Sequence, residues 1–487
     1  MASPLFRRKS LDRILQESER PGQALKRALS AVDLTMLGIG AIVGAGIFAL
    51  VGTAAAGSMH RPGAGPALTV SFLITAAACA LCALCYAEFA SLVPIAGSAY
   101  TYSYATLGEL VAWIIGWDLI LEYAVGNIGV AVSWSGYFVN LIEGLGLSIP
   151  AWLTTDVRTA LHTPEILAAA PRVFGVPILI NVPAALICFA VTVLLIIGIK
   201  ESSRFNTGMV VLKLLILAFF IGVGSLYVRP ENWTPFAPNG WSGISTGAAI
   251  IFFAYIGFDA VSTAAEESRN PQRDLPIGIL GSLVVCTVLY IVTAAVLTGM
   301  VPSTELGVPD PLALAFDRLG MTWAAGLVSV GAVIATTAVL LVFQMGQPRI
   351  FFSMARDGLL PGVFARVHPR FRTPHVSTAI VGIATGSVAA FEGLAEAADL
   401  TNIGTLFAFI LVCIAVIVLR YREPERKRPF RTPLVPWVPL GGIVSCLYLI
   451  WHLPTTAKVR FVVWLAVGLV VYFAYGLRKS RNVEQFR

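Results

Sequence analysis

The residue hardest to place in this sequence without a chemical purpose is Lys213, an ammonium set in the apolar run "NTGMVVLKLLILAFFIGVG". It stands nine residues beyond Arg204, which is about 13 Å along a helix at 1.5 Å per residue and a long reach for snorkelling to a polar boundary. Charge in hydrocarbon is costly on any scale, so an ionisable residue there is a functional candidate by default. A lysine kept from water can gain and lose a proton over a cycle of conformations. Lys213 is therefore the candidate proton carrier, against the simpler reading of a snorkelling ammonium. Asp118 and Glu122 are four residues apart and share one helix face, with Glu122 deeper. Glu122 could pair with Lys213, accept a proton, touch a substrate side chain, or only hydrogen-bond among helices. Asp259 lies inside another apolar run and is expected to cap a half-helix. None of the five histidines (His60, His162, His368, His375, His452) falls at the centre of such a run, so a histidine proton relay is not expected.

Two stretches supply backbone chemistry. "MLGIGAIVGAGIFAL", Met36 to Leu50, holds four glycines, each costing a helix interior roughly 0.5–1 kcal/mol relative to alanine. "FFAYIGFDAVS", Phe252 to Ser262, is a second interruption, with Gly257 and Asp259 near its centre. A half-helix restarting after Gly44, Ala45 and Gly46 would present free N–H groups and a positive dipole end, a seat for a carboxylate. Carbonyls freed at Ile42, Phe253, Ala254 and Ile256 would suit an ammonium. Together they fit a zwitterionic amino acid, provided the two segments meet. The alternative is that the glycines only allow close helix packing.

The elements that must position these groups belong to a membrane protein. The chain is 57% hydrophobic and 13% charged, with a mean hydropathy of +0.80, too apolar to cover a water-soluble globule of 487 residues. A bilayer core about 30 Å thick needs roughly 20 apolar residues per crossing. Twelve runs qualify: 33–56, 66–92, 108–142, 178–199, 206–228, 243–265, 276–301, 322–353, 375–391, 397–420, 434–453 and 459–478. Of the 34 lysines and arginines, 25 fall in the N-terminal arm, the even-numbered loops, the C-terminal tail and the adjoining span ends, against 7 on the odd-numbered side. Both termini are thus expected to be cytoplasmic, in a multi-pass plasma (inner) membrane protein. The net charge of +7 follows from topology, and no aromatic-interleaved basic groove points to nucleic acid. "RYREPERKRPFR" is the densest basic cluster; it reads as a solvated loop, with contact to anionic lipid as the sharper reading.

The breaks fall in the first and sixth runs, corresponding positions of two five-span halves, as in an inverted-repeat transporter. The organisation expected is a cytoplasmic arm (1–32), a first repeat (33–228), a second repeat (243–420), two further spans (434–478) and a tail (479–487). Basic Arg7, Arg8 and Lys9 precede no short apolar cleavable segment, and Ser10 could cap a surface helix carrying Leu11, Ile14 and Leu15. Cys79, Cys82 and Cys85 recur along one apolar run and read as small packing residues; no metal site is expected. An enzyme is not expected, since there is no HExxH pair and no nucleophile beside a histidine base within the runs.

These stretches, together with "CYAEFASLVPIAGSAYTYSYATLGELVAWIIGWDLILEY", "FFAYIGFDAVSTAAEESRNPQRDLPIGIL" and "LTNIGTLFAF", resemble the cationic amino acid transporter branch of the amino acid-polyamine-organocation superfamily, and its bacterial twelve-span members above all. The resemblance covers nearly the whole chain. It implies an all-α LeuT-type fold with a 5+5 inverted repeat and discontinuous helices 1 and 6, and amino-acid uptake by alternating access with protons as the coupling ion and no cofactor. It implies that the carboxylate meets Gly44 to Gly46, and the ammonium the carbonyls at Ile42, Phe253 and Ile256. Lys213 would stand where sodium binds in sodium-coupled relatives, Glu122 matches a family acid, and Phe343 on the eighth span would tune side-chain preference. Ala45 replaces the serine or threonine of many relatives, which removes a hydroxyl contact. An exchanger or uniporter of the same fold is the alternative function. Partners are the amino acid and membrane lipid, with a small membrane protein or a sterol left open.

Overall fold

A computed structural model describes Leu5, Arg7, Arg8 and residues 28–58, 61–93, 98–161, 163–197, 203–371 and 373–480. Lys9 and the expected surface helix from Ser10, with His60, His162 and residues 481–487, lie outside the described residues. The elements used below are α1 (Ala31–Ile42), α2 (Gly46–Ala56), α3 (Leu68–Leu92), α4 (Ser98–Thr106), α5 (Glu109–Gly144), α6 (Val182–Ile197), α7 (Ser203–Gly224), α8 (Gly240–Ile251), α9 (Asp259–Glu267), α10 (Pro271–Met300), α11 (Pro311–Asp317), α12 (Thr322–Arg356), α13 (His375–Ala389), α14 (Leu394–Arg422), α15 (Trp437–His452) and α16 (Thr455–Val471). All but α4 and α11 fall on the expected apolar runs. Among the described residues, eight helical segments are long and apolar enough to cross a membrane, α1 and α2 form one further span bent by 45°, and α6, α13 and α15 are shorter apolar helices. This is an all-helical polytopic membrane protein. Its strands are two-residue pairs in loops, Gly57–Ser58 with Arg61–Pro62 and Arg172–Val173 with Val176–Pro177.

Local sequence sets the entry to the first span. Ser30 accepts the Asp33 N–H at 3.4 Å while the Asp33 carboxylate accepts the Ser30 N–H at 2.9 Å, a reciprocal capping box before the apolar run. α5 packs along α12 and α14, while α10 packs on α1 and α3, so the broken segments run between these bundles. The cysteines behave as packing residues: Cys82 Sγ lies 3.5 Å from Cys446 and 4.0 Å from Cys413, and all seven are free and buried.

The basic cluster after α14 departs from its expected solvation. Arg420 grips Glu88 of α3 with Nε at 2.9 Å and Nη2 at 2.8 Å, and Arg428 Nε lies 3.1 Å from the same carboxylate. Arg428 also donates to the carbonyls of Glu423 (2.8 Å) and Arg426 (2.8 Å), and to that of Leu419 in the last turn of α14 (3.2 Å), so two of the arginines in that run are fastened into the fold. Glu88 and Arg428 are both about 1% exposed at the side chain. The charge pattern marked the loop but not its partner, because Glu88 is more than 300 residues away in sequence. Glu88→Ala would strand two arginines and the Thr432 N–H that donates to Glu88 at 2.8 Å. Removing one partner of a buried ion pair costs about 3–5 kcal/mol, so the expected result is a large fall in the midpoint of thermal unfolding in detergent, with Glu88→Gln recovering part of it.

Candidate functional site

Both interruptions are real breaks, and they touch. The backbone ladder of the first span lapses after the Val43 N–H bonds the Ile39 carbonyl and resumes when the Phe48 N–H donates to Gly44, with Val43 extended (φ −76°, ψ 101°). α2 therefore opens with N–H groups that have no carbonyl of α1 to bond, the arrangement that receives an anion at a helix N-terminus. In the sixth span, α8 passes into a 3-10 turn at Phe252–Tyr255, extends at Ile256 (φ −62°, ψ 133°), and turns through Gly257 at φ +121° before α9. A Cβ on Gly46 would stand 2.3 Å from Ala254 Cα, and one on Gly257 would stand 2.9 Å from the Ala41 carbonyl. The two backbones meet at two points, and only glycine fits either.

Side chains then satisfy the carbonyls that the breaks release. Lys213 Nζ, 1% exposed, donates to Gly40 O at 2.8 Å and Val43 O at 3.1 Å, spanning the end of α1. Its amine is thus a fixed part of the first break. Glu122 is elsewhere: it is 4% exposed and faces Thr405 of α14 and Asp259, so the Lys213 pairing weighed from sequence is not the arrangement found. Tyr290 of α10 donates to Ile42 O at 2.9 Å, which leaves that carbonyl only part of its accepting capacity for any ammonium. Asn402 of α14 donates to Ala249 O (2.8 Å) and Ile250 O (3.2 Å), doing for the end of α8 what Lys213 does for α1. Sequence reasoning missed both residues, although Asn402 lies within "LTNIGTLFAF"; an asparagine mid-span was the signal available. The Phe253 carbonyl accepts the Ile256 N–H at 3.3 Å, closing the 3-10 turn. Asp259, 3% exposed, is the first residue of α9 rather than its N-cap; Phe258 holds the N-cap position and makes no side-chain cap hydrogen bond, so the expected cap is not the arrangement found.

Around the junction the walls are apolar. Ala45, Phe253, Ala254, Ile256 and Phe343 are all at most 6% exposed. The Phe343 ring lies 2.9 Å from where a Gly126 Cβ would stand and meets Tyr123 edge-on at 5.7 Å between centroids, while Phe253 comes within 3.6 Å of the corresponding point on Gly129. Two glycines three residues apart on one face of α5 thus each receive a ring. Gly44 turns its bare face to Val339 of α12, 2.8 Å from where a Cβ would be, so a side chain there would crowd that helix. Asp118 is fully buried beside Gly404, and among the described residues neither carboxyl oxygen has a hydrogen-bond partner. No group of three or more His, Cys, Asp or Glu is placed to hold a metal among the described residues.

Comparison with known proteins gives the geometry a context. The profile of a family described as Amino acid permease matches residues 29–475. The chain is 48% identical over 482 residues to the branched-chain amino acid permease BcaP of Bacillus subtilis, covering 99% of each. It is also 48% identical over 478 residues to a methylthioribose transporter of the same organism, covering 98% of this chain and 99% of that one. A vacuolar cationic amino acid transporter 4 of Arabidopsis thaliana is 41% identical over 428 residues, 86% of this chain and 68% of the relative.

Proposed function

The chain belongs to the amino acid permease family of the amino acid-polyamine-organocation superfamily, and from that premise we propose that it is a proton-coupled importer of neutral, apolar amino acids working by alternating access. The observation that carries the reading is the contact of the two breaks: N–H groups at Gly44 to Gly46 and carbonyls near Phe253 to Ile256 lie within one junction, and they are complementary to the two ends of a zwitterion. The wall formed by Phe343, Phe253, Gly126 and Gly129 suits an uncharged side chain. A relative named for branched-chain amino acids points the same way. Glu122, buried on α5, is a protonatable neighbour of the site, and Lys213 is the coupling residue. The inverted repeat, with both termini on the cytoplasmic side, belongs to this proposal. No catalysis is assigned, in keeping with relatives that are all named as transporters or permeases.

One relative of equal identity is named for methylthioribose, so the first measurement is a thermal-shift screen of the purified protein against the twenty amino acids and methylthioribose. Ligand that binds only the folded state raises stability by about 2.7 kcal/mol at a hundredfold excess over Kd. Leucine, isoleucine or valine should give the largest shift; a shift with methylthioribose alone would replace the substrate, and none with any amino acid would refute the zwitterion site. Phe343→Ala should then move preference toward bulkier apolar side chains by about tenfold, the scale of one or two methylenes in a pocket. Unchanged selectivity would remove Phe343 from the site. Counterflow without a gradient separates exchange from coupled uptake: strict dependence on substrate on both sides would favour the exchanger.

A further inference from the structure

Away from the junction, the outer face of α10 carries a groove of about 870 Å³ lined by Gln272, Arg273, Ile277, Gly281, Val285 and Phe430, among others. We propose that this groove binds one anionic glycerophospholipid, with its phosphate at Arg273 and an acyl chain along the stripe from Ile277 to Val285.

Three observations support this. The lining residues of α10 recur three and four apart, so they form one stripe, and Ile277, Val284 and Val285 are 42%, 63% and 38% exposed. An apolar stripe on a spanning helix faces acyl chains. The second wall is rigid: the Phe430 N–H donates to Ser91 Oγ at 3.3 Å and the Thr432 N–H to Glu88 at 2.8 Å, so the Glu88–Arg420–Arg428 cluster holds that segment against α3. The groove is thus formed without its occupant. Finally, the polar end is cationic and uncompensated. Among the described residues Arg273 is exposed and forms no ion pair, exposed Lys427 and Arg431 flank Pro429 and Phe430, and no described acid lines the groove. Neighbouring Asp274 is turned inward and accepts the Asn270 N–H at 3.2 Å. An occupant with an anionic head and an apolar body answers both ends, whereas a sterol or an apolar helix leaves the arginine without a counter-charge.

The inference needs only that the chain spans a membrane, and its test reads lipid separately from substrate. Full-length protein reconstituted with equal phosphatidylglycerol and phosphatidylcholine, then examined by native mass spectrometry, should retain one phosphatidylglycerol per chain in preference to phosphatidylcholine. Arg273→Gln should lower that retention about fivefold, the ~1 kcal/mol of one basic side chain at an anionic surface. Gly281→Leu should displace the lipid by filling the groove; the first carbon added there meets Thr35 at an ordinary 3.4 Å. Equal retention of the two lipids, or wild-type retention in either variant, would overturn the proposal. So would a thermal shift with inorganic phosphate in lipid-free detergent equal to that with phosphatidylglycerol. The amino-acid thermal shift should persist in Arg273→Gln, so failure of this site and failure of the transport reading give different results.

Discussion

Replacing Lys213 with alanine is expected to abolish accumulation of amino acid driven by a pH gradient in proteoliposomes. One pH unit stores ~1.4 kcal/mol, enough for about tenfold accumulation at one proton per substrate, and the variant should show none. The substitution also removes both hydrogen bonds to Gly40 O and Val43 O, and each buried carbonyl left unpaired costs about 1–3 kcal/mol. A loss of uptake could therefore reflect a collapsed first break. Lys213→Arg separates the two causes: a guanidinium can still donate to the freed carbonyls, yet it stays protonated throughout the physiological range. If Lys213 carries the proton, the arginine variant keeps substrate-induced thermal stabilisation and still fails to accumulate substrate. Gradient-driven uptake at wild-type levels in either variant would end the coupling role. Recovery of uptake in the arginine variant alone would reduce Lys213 to a structural clasp.

The ease of reading this site from sequence followed the length scale of each interaction. Apolar runs and glycine interruptions are local, so the spans and both breaks were legible, as was the depth of Lys213 in its run. What the lysine touches was not, since Gly40 and Val43 lie about 170 residues earlier in the chain. Glu122 shows the same limit from the other side: its face on α5 was readable, but the neighbour it meets, Thr405, depends on how α5 and α14 pack. Tyr290 and Asn402 escaped because each acts on a carbonyl of a distant helix, and nothing in the local pattern says which carbonyls a break will leave open. From sequence, the glycines of the first break read as a helix cost set against ligand binding, with close helix packing as the alternative. The structure adds a steric reason that no single-segment pattern contains, the approach of a second backbone.

That approach makes Gly46→Ala a severely damaging substitution at the junction. Its Cβ would lie 2.3 Å from Ala254 Cα, 2.5 Å from Ala254 Cβ and 2.8 Å from Ala254 N, and backbone cannot rotate aside as a side chain can. Restoring ordinary contact requires the two breaks to part by about 1 Å, a displacement that costs on the order of 100-fold where function depends on positioned groups. The N–H of residue 46 survives in the alanine variant, so any loss comes from geometry rather than from a missing donor. Transport and substrate-induced stabilisation should both fall by that order. Gly326→Ala on α12, where a Cβ meets nothing within 4 Å, should leave them unchanged. Adding Ala254→Gly removes the 2.5 Å contact but keeps those to Cα and N, so it should restore only part of the binding. Full activity in Gly46→Ala would mean that the breaks need not touch. An unrelieved loss in the double variant, with the fold intact, would instead place the added methyl against the substrate.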